Sequence, residues 1–327
     1  MSKGRKIIIV SAGRLKRENN TICFINDKEK KYLPIENLEE MYVFGRVDFN
    51  IDFFEYIGEK GLVVHIFDYY GWYKGSFIPK EHMFSGELII NQVQAAINQS
   101  YSLRLAKEFV RGAIYNLARI SYKRDPELKN KLKDYYYKLD SAKNNEELMG
   151  FEGNARKTFY DSMKNWIDWE FDGRNRNPPK DSTNALISFL NSLTYALTIK
   201  HIMRSALHPG ISFLHANTER NRFSLALDIS EVFKPIFSEA LTISLINNKK
   251  LNPELHFDFD SNTNGMYLNQ NGRNIVMKEW VNMLENTIMH RALKRKVSFD
   301  KLVELEIYKL IKDLLKDKKY KSLRIWW

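Results

Sequence analysis

Between Lys6 and Pro79 short apolar runs alternate with turn residues: KIIIV, NTICFIN, KKYLPI, MYVFG, GLVVHIFDY and WYKGSFI. Runs of this length, rich in β-branched and aromatic residues, predict strands and a β-rich domain. One helix interrupts them at IDFFEYIGEKG, where Phe53, Phe54 and Ile57 make an apolar face and Gly61 supplies the stop. The polar, broken stretch PKEHMFSG ends the strand pattern. Beyond it the period changes. Ile97, Tyr101, Leu105 and Phe109 recur at four-residue steps, which predicts a long amphipathic helix with Arg104, Lys107 and Arg111 on its other side. Further helices follow. DGRNRNPPKDSTN, residues 172–184, reads as a loop whose Ser182, Thr183 or Asn184 caps the helix ALISFLNSLTYALTIKHIM. A second break falls at DFDSNTNG, residues 258–265, and Val303, Ile307, Leu310, Ile311 and Leu314 mark a last amphipathic helix before KDKKYKSLRIWW. The expected fold class is α+β: an N-terminal β-rich domain over residues 1–84, a linker over 85–92, and a larger all-α domain over 93–327.

A length of 327 residues agrees with two domains, each with material for a core. The formal charge of +11 points to a polyanionic partner, and its distribution sharpens the point. Residues 1–85 hold 13 Lys/Arg against 12 Asp/Glu, so ten of the eleven net charges fall on the helical part. The last 37 residues, 12 basic against 5 acidic, carry seven of them. Cys23 is the only cysteine, which excludes a disulfide framework or a thiolate metal cluster and fits a reducing cytoplasm. MSKGRKIIIV reads as a strand rather than a secretory leader, because the polar SAGRLKREN follows at once. No window approaches the roughly 20 apolar residues a bilayer-spanning helix needs, so no membrane association is expected.

Candidate chemistry concentrates in HPGISFLHANTERNRFSLALDISEVFKP, residues 208–235. Asp228 and Glu231 lie three apart, so a helix through SLALDISEVF puts both carboxylates on one face, with Lys234 a turn further on. His215 reaches them across a polar loop, and His208 on the same loop competes for that role. A second acid stands at FEGNARKTFY, where Glu152 between Gly150 and Gly153 opens a helix with bare backbone around it. Taken singly, each residue has an ordinary reading. Glu152 pairs with Arg156 at i+4, Asp228 and Glu231 are helix-start acids, and His215 is a hydrogen-bonded histidine at a core margin.

Three motifs, ELMGFEGNARKTFY, NALISFLNSLTYAL and HPGISFLHANTERNRFSLALDISEVFKP, occur in that order and spacing, and with them the chain resembles the CRISPR-associated spacer-acquisition endonuclease/integrase family, Cas1. The likeness extends over nearly the whole chain. It implies Glu152, His215 and Glu231 as metal ligands, with Asp228, Lys234 and Tyr195 as further polar groups around the metal; Asp228 is also a possible ligand in place of Glu231. It further implies a homodimer formed through the β domain. Two such dimers would be bridged by the small Cas2 protein into a heterohexamer that joins short double-stranded DNA to a CRISPR repeat. Two carboxylates and one imidazole suit Mn²⁺ or Mg²⁺, and the nitrogen donor tilts the choice toward Mn²⁺. Such a site accepts either a DNA 3′-hydroxyl, giving strand transfer, or water, giving cleavage.

Candidate phosphate contacts are Arg156, Arg174, Arg176, Lys180, Arg220, Arg222, Arg291, Lys294, Arg295 and Lys296. The basic, aromatic tail reads as a surface for stacking on frayed bases, or else as a disordered or dimer-packing segment. Truncation after Leu315 is then expected to weaken DNA binding more than folding. Two other functions stay open at this level: a nuclease for branched or damaged DNA without joining activity, and a basic DNA-holding scaffold whose acids are only helix caps.

Overall fold

The computed structural model describes residues 5–36, 38–79, 85–215 and 223–326. The N-terminal part contains β1 (Arg5–Ile9), β2 (Gly13–Glu18), β3 (Thr21–Ile25), β4 (Lys30–Leu33), β5 (Leu38–Phe44), β6 (Val47–Phe49), α1 (Ile51–Glu59), β7 (Val63–Phe67) and β8 (Tyr73–Phe77). They form two four-stranded sheets, ordered β1-β5-β7-β8 and β4-β3-β2-β6. Helix α1 stands where its apolar face predicted it, capped by Asn50 and stopped before Gly61 at φ 69°. Strands β2 and β6 are additions to the strands the sequence pattern predicts. In GRLKRE only Leu15 is buried, so β2 shows no apolar run.

The period of two in β5 divides its side chains between two cores. Met41 and Val43 pack with Leu15, Phe24, Phe53 and Ile57 inside the β domain. Tyr42 and Phe44 face the other way and join the helical core, where Phe44 lies 5.4 Å from Phe189 between ring centroids. The two parts therefore share a packed seam.

The chain continues through α2 (Gly86–Ile97), α3 (Gln99–Ser121), α4 (Pro126–Lys138), α5 (Asn145–Met163), α6 (Ser182–Met203) and α7 (Ser224–Lys234). A π turn at Pro235–Glu239 leads into α8 (Ala240–Asn247) and the short α9 (Pro253–His256). Then come β9 (Phe257–Asp260), β10 (Gly265–Leu268), α10 (Gln270–Glu285), β11 (Thr287–His290), β12 (Arg295–Ser298) and α11 (Phe299–Leu314). The α+β class with a helical second part stands. Two short antiparallel hairpins, β9–β10 and β11–β12, are additions to what was expected to be all-α, and the break at 258–265 is the first of them.

Three local expectations are corrected. Residues 85–92 are a packed helix rather than a linker: Ser85 caps α2 by accepting from the Leu88 N–H, and Leu88 and Gln92 are buried. The four-residue stripe crosses a break, because Asn98 caps α3; Leu105 and Phe109 are buried, whereas Ile97 at the end of α2 is exposed. Helix α6 is capped by Asp181, whose carboxylate accepts from the Asn184 N–H at 2.7 Å, and not by Ser182, Thr183 or Asn184.

The tail is neither loose nor a stacking surface along its length. Tyr320, Leu323 and Ile325 are buried against α3 and α11. Asn116 on α3 donates to the Leu323 carbonyl at 3.1 Å and accepts from the Ile325 N–H at 3.0 Å. Gly112 makes the approach possible, since a Cβ there would meet Ser322 Oγ at 2.6 Å.

Candidate functional site

Helix α5 runs from its Asn144 cap straight through Gly150 and Gly153, so Glu152 sits mid-helix and not at a helix start. Both glycines have open space where a Cβ would stand, which leaves bare backbone beside Glu152. One turn on, Arg156 is buried and binds three carboxylates. Its Nε donates to Glu152, one terminal nitrogen donates to Glu231, and the other donates to Glu239 at 2.9 Å. Lys234 donates to the remaining oxygen of Glu231. Tyr160 donates to Glu239 at 2.8 Å.

Glu239 joins this cluster without lying at a spacing or motif position that marks it in the sequence. Glu231 and Glu239 stand eight residues apart, which on a regular helix turns them about 80° from each other. The π turn over Pro235–Glu239 inserts one residue into the helical register, so the two acids project like an i, i+7 pair and meet one guanidinium. Proline at 235, which has no N–H to donate, is the available signal.

His215 is positioned by Asp228. One Asp228 oxygen accepts from the N–H groups of Phe213 and Leu214 at 2.7 and 3.0 Å. The other accepts from the His215 N–H at 2.9 Å and faces its Nδ1 at 2.8 Å. With Nδ1 held there, neutral His215 presents the Nε2 lone pair. Burial lowers the affinity of His215 for a proton, but the hydrogen bond and charge of Asp228 outweigh it and raise its pKa above the ordinary value. Asp228 is fully buried and, as placed, engages both of its oxygens with this loop and His215. His208 serves the loop instead, since its Nδ1 accepts from the Gly210 N–H and its backbone is tied to Gln92.

Burial raises the pKa of Glu231, but Lys234 and Arg156 lower it further and hold the carboxyl well below the usual range. Formally, Glu152, Asp228, Glu231 and Glu239 bring four negative charges against the two of Arg156 and Lys234, with one oxygen of Glu239 buried and unpartnered among the described residues. Two uncompensated negative charges beside an imidazole lone pair suit a hard divalent cation, so the donor chemistry fits one. As placed, no three His, Cys, Asp or Glu side chains among the described residues are grouped to share an ion, because Arg156 lies between Glu152 and Glu231. A cation held by Glu152 and Glu231 would have to displace these ion pairs.

Residues 7–282 match the family model described as CRISPR associated protein Cas1. The chain belongs to the Cas1 family. A relative named CRISPR-associated endonuclease Cas1 2, from Moorella thermoacetica, is 42% identical over 324 residues, covering 99% of this chain and 100% of its own. A solved Cas1 protein from Thermotoga maritima superposes with TM-score 0.86 at 36% identity, covering 98% of this chain and all of its own. The same fold, also at TM-score 0.86 but 18% identity, occurs in a casposase bound to its integration product, over 97% of this chain and 93% of that one.

Within this Cas1 chain the remaining expected site residues are scattered. Tyr195 meets Tyr73 of β8 edge to face at 5.7 Å, and burial together with Tyr73 pushes its pKa up to about 12. It takes no part in the hydrogen bonds that join Glu152, Glu231 and His215 among the described residues. Arg156, expected on the DNA footprint, is corrected to an internal counter-ion, because three carboxylates saturate it. Arg174 is mostly turned inward, donating to Asn184 at 2.9 Å and Ser188 at 2.9 Å. Arg176 and Lys180 are exposed, Lys180 donating to the Asn264 carbonyl at 2.8 Å. Arg291, Lys294, Arg295 and Lys296 lie exposed together on the β11–β12 hairpin. Arg220 and Arg222 fall outside the described residues. Among these, no helix is long and apolar enough to cross a membrane.

Proposed function

We propose that this chain is a metal-dependent DNA endonuclease and integrase that joins short DNA fragments to a CRISPR repeat, with Glu152, His215 and Glu231 holding Mn²⁺ or Mg²⁺. The observation that carries it is the convergence of Glu152 and Glu231, far apart in sequence, on one guanidinium in an anion-rich pocket beside a histidine oriented by Asp228. Relatives across the full length are named CRISPR-associated endonucleases, which agrees with phosphodiester chemistry at that pocket. When bound, the ion supplies Lewis-acid polarisation of a phosphate oxygen.

The chain's own groups do the rest. Asp228 keeps His215 Nε2 directed at the pocket. Lys234, one turn from Glu231, offers its ammonium to the charge that builds on phosphate oxygens. The bare backbone at Gly150 and Gly153 lets a DNA strand approach Glu152 closely. In strand transfer a 3′-hydroxyl oxygen bonds to phosphorus and loses its proton, while the bond to the leaving 3′-oxygen breaks and that oxygen is protonated. With water in place of the 3′-hydroxyl, the outcome is cleavage. Double-stranded and branched DNA, a second copy docked through the β domain, and a Cas2 protein are the partners this reading assigns; a solved complex that shares the fold contains Cas1 with Cas2.

Incubating labelled branched and duplex DNA with Mn²⁺, with EDTA, and with or without a Cas2 partner tests the reading. Mn²⁺-dependent joined product is expected. Clean cleavage with no joining in any arm favours a repair nuclease. Tight DNA binding with neither product, even with Cas2, favours a scaffold.

A further inference from the structure

A groove of about 670 Å³ runs between α3, α4 and the tail, and none of Glu152, His215 and Glu231 lines it. Five of its thirteen lining side chains are aromatic: Tyr115, Tyr122, Tyr136, Tyr137 and Trp326. Five are cationic: Arg119, Lys129, Lys133, Arg291 and Arg324. None is acidic. The helices build this face by register, since Tyr115, Arg119 and Tyr122 follow an i, i+4, i+7 row on α3, as Lys129, Lys133 and Tyr137 follow an i, i+4, i+8 row on α4.

Every one of the five cations lies over a ring of the groove. Lys129 stands 4.1 Å from the Tyr122 centroid and Arg119 5.8 Å; Lys133 is 5.8 Å from Tyr137, Arg291 5.6 Å from Trp326, and Arg324 5.5 Å from Tyr136. A ring orients a cation without neutralising it. Arg324 also reaches Glu108 at 3.4 Å, but the other four make no ion pair among the described residues. Tyr122 and Tyr137 are 44% and 60% exposed, so ring surface that the cations do not cover is open to a ligand.

We infer that this groove binds single-stranded nucleic acid, stacking unpaired bases on the tyrosines while the cations track the phosphates. Alternating rings and positive charges match a strand that alternates bases and phosphates, and stacking tolerates any sequence. A duplex hides its base faces and gains only the charge. An acidic protein segment would use the cations and leave the rings idle. The site shares no residue with the proposed metal cluster, so it extends the function beyond the chemistry argued above.

The test is fluorescence anisotropy in EDTA, using a labelled short oligothymidylate, a blunt duplex of equal length and poly-glutamate. Without metal, the result does not depend on the integrase reading. Tyr122→Ala and Tyr137→Ala are each expected to weaken oligothymidylate binding about tenfold. Tyr137→Phe, which keeps the ring, should stay near wild type, and all three variants should change duplex binding less than about twofold. Lys133→Ala should reduce the salt slope by about 0.7, one single-strand phosphate contact. The inference is overturned if alanine variants with unchanged melting temperature bind oligothymidylate normally, or if they lose duplex and single strand alike. Loss in Tyr137→Phe equal to that in Tyr137→Ala removes stacking as the cause. Tyrosine-dependent capture of poly-glutamate in preference to oligothymidylate assigns the groove to an acidic protein instead.

Discussion

Asp228 gathers three backbone N–H groups and the His215 imidazole on one buried carboxylate, so it builds the loop and sets the histidine at once. Asp228→Asn replaces an acceptor oxygen with an NH₂ that faces donors. Mn²⁺ affinity, read by titration calorimetry, is expected to fall about ten- to hundredfold. Unchanged affinity would mean that Nε2 of His215 is not a ligand. At this scale identity is legible in the sequence: Glu152, His215, Asp228, Glu231 and Lys234 all stand out, because their spacing on helix faces and in motifs is local. Partnership is not. The Glu152–Arg156 pair can be read from i+4 spacing, but Arg156 reaching Glu231 and Glu239 depends on how α5 meets α7 and on a π turn that no periodicity announces.

Elements follow the same division. The buried strands of the first sheet and the helices α1, α6 and α11 are legible because each carries an apolar run or stripe. Strand β2 is not, since a strand with one buried residue looks like a loop. The tail misleads for a related reason: KDKKYKSLRIWW is basic on average, yet its Tyr320, Leu323 and Ile325 turn into the core while lysines face out. Burying each of those side chains is worth roughly 1.5–3 kcal/mol. Deleting residues 316–327 is therefore expected to lower the melting temperature by several degrees in a thermal-shift measurement. An unchanged melting temperature with weakened DNA binding would restore the view of a surface tail.

Across the whole molecule the two parts are joined by buried charge. Glu40 on β5 pairs with Lys6 at 2.8 Å and with Lys200 of α6, which also meets Asp300 at 2.8 Å. In the same seam burial depresses His65 to about 3, and His201 is also lowered, chiefly by burial. A histidine depressed on folding binds fewer protons folded than unfolded, so its stability is full above the unfolded pKa near 6.5 and is lost as pH falls toward 3. Between pH 7.5 and 5.5 His65 alone should account for about 1.4 kcal/mol of lost stability. Urea melts should show that slope reduced by this amount in His65→Leu; an equal slope in both would mean that His65 is protonated when folded. The proposal that Glu152, His215 and Glu231 form one metal site for strand transfer has its most direct measurement in a Mn²⁺-dependent joining and reverse-transfer assay on labelled branched DNA, comparing wild type with Glu152→Ala, His215→Ala and Glu231→Ala. Product from wild type and at least about a hundredfold loss in each variant, with DNA binding retained, are expected; near wild-type joining by any one of the three variants would contradict a shared site.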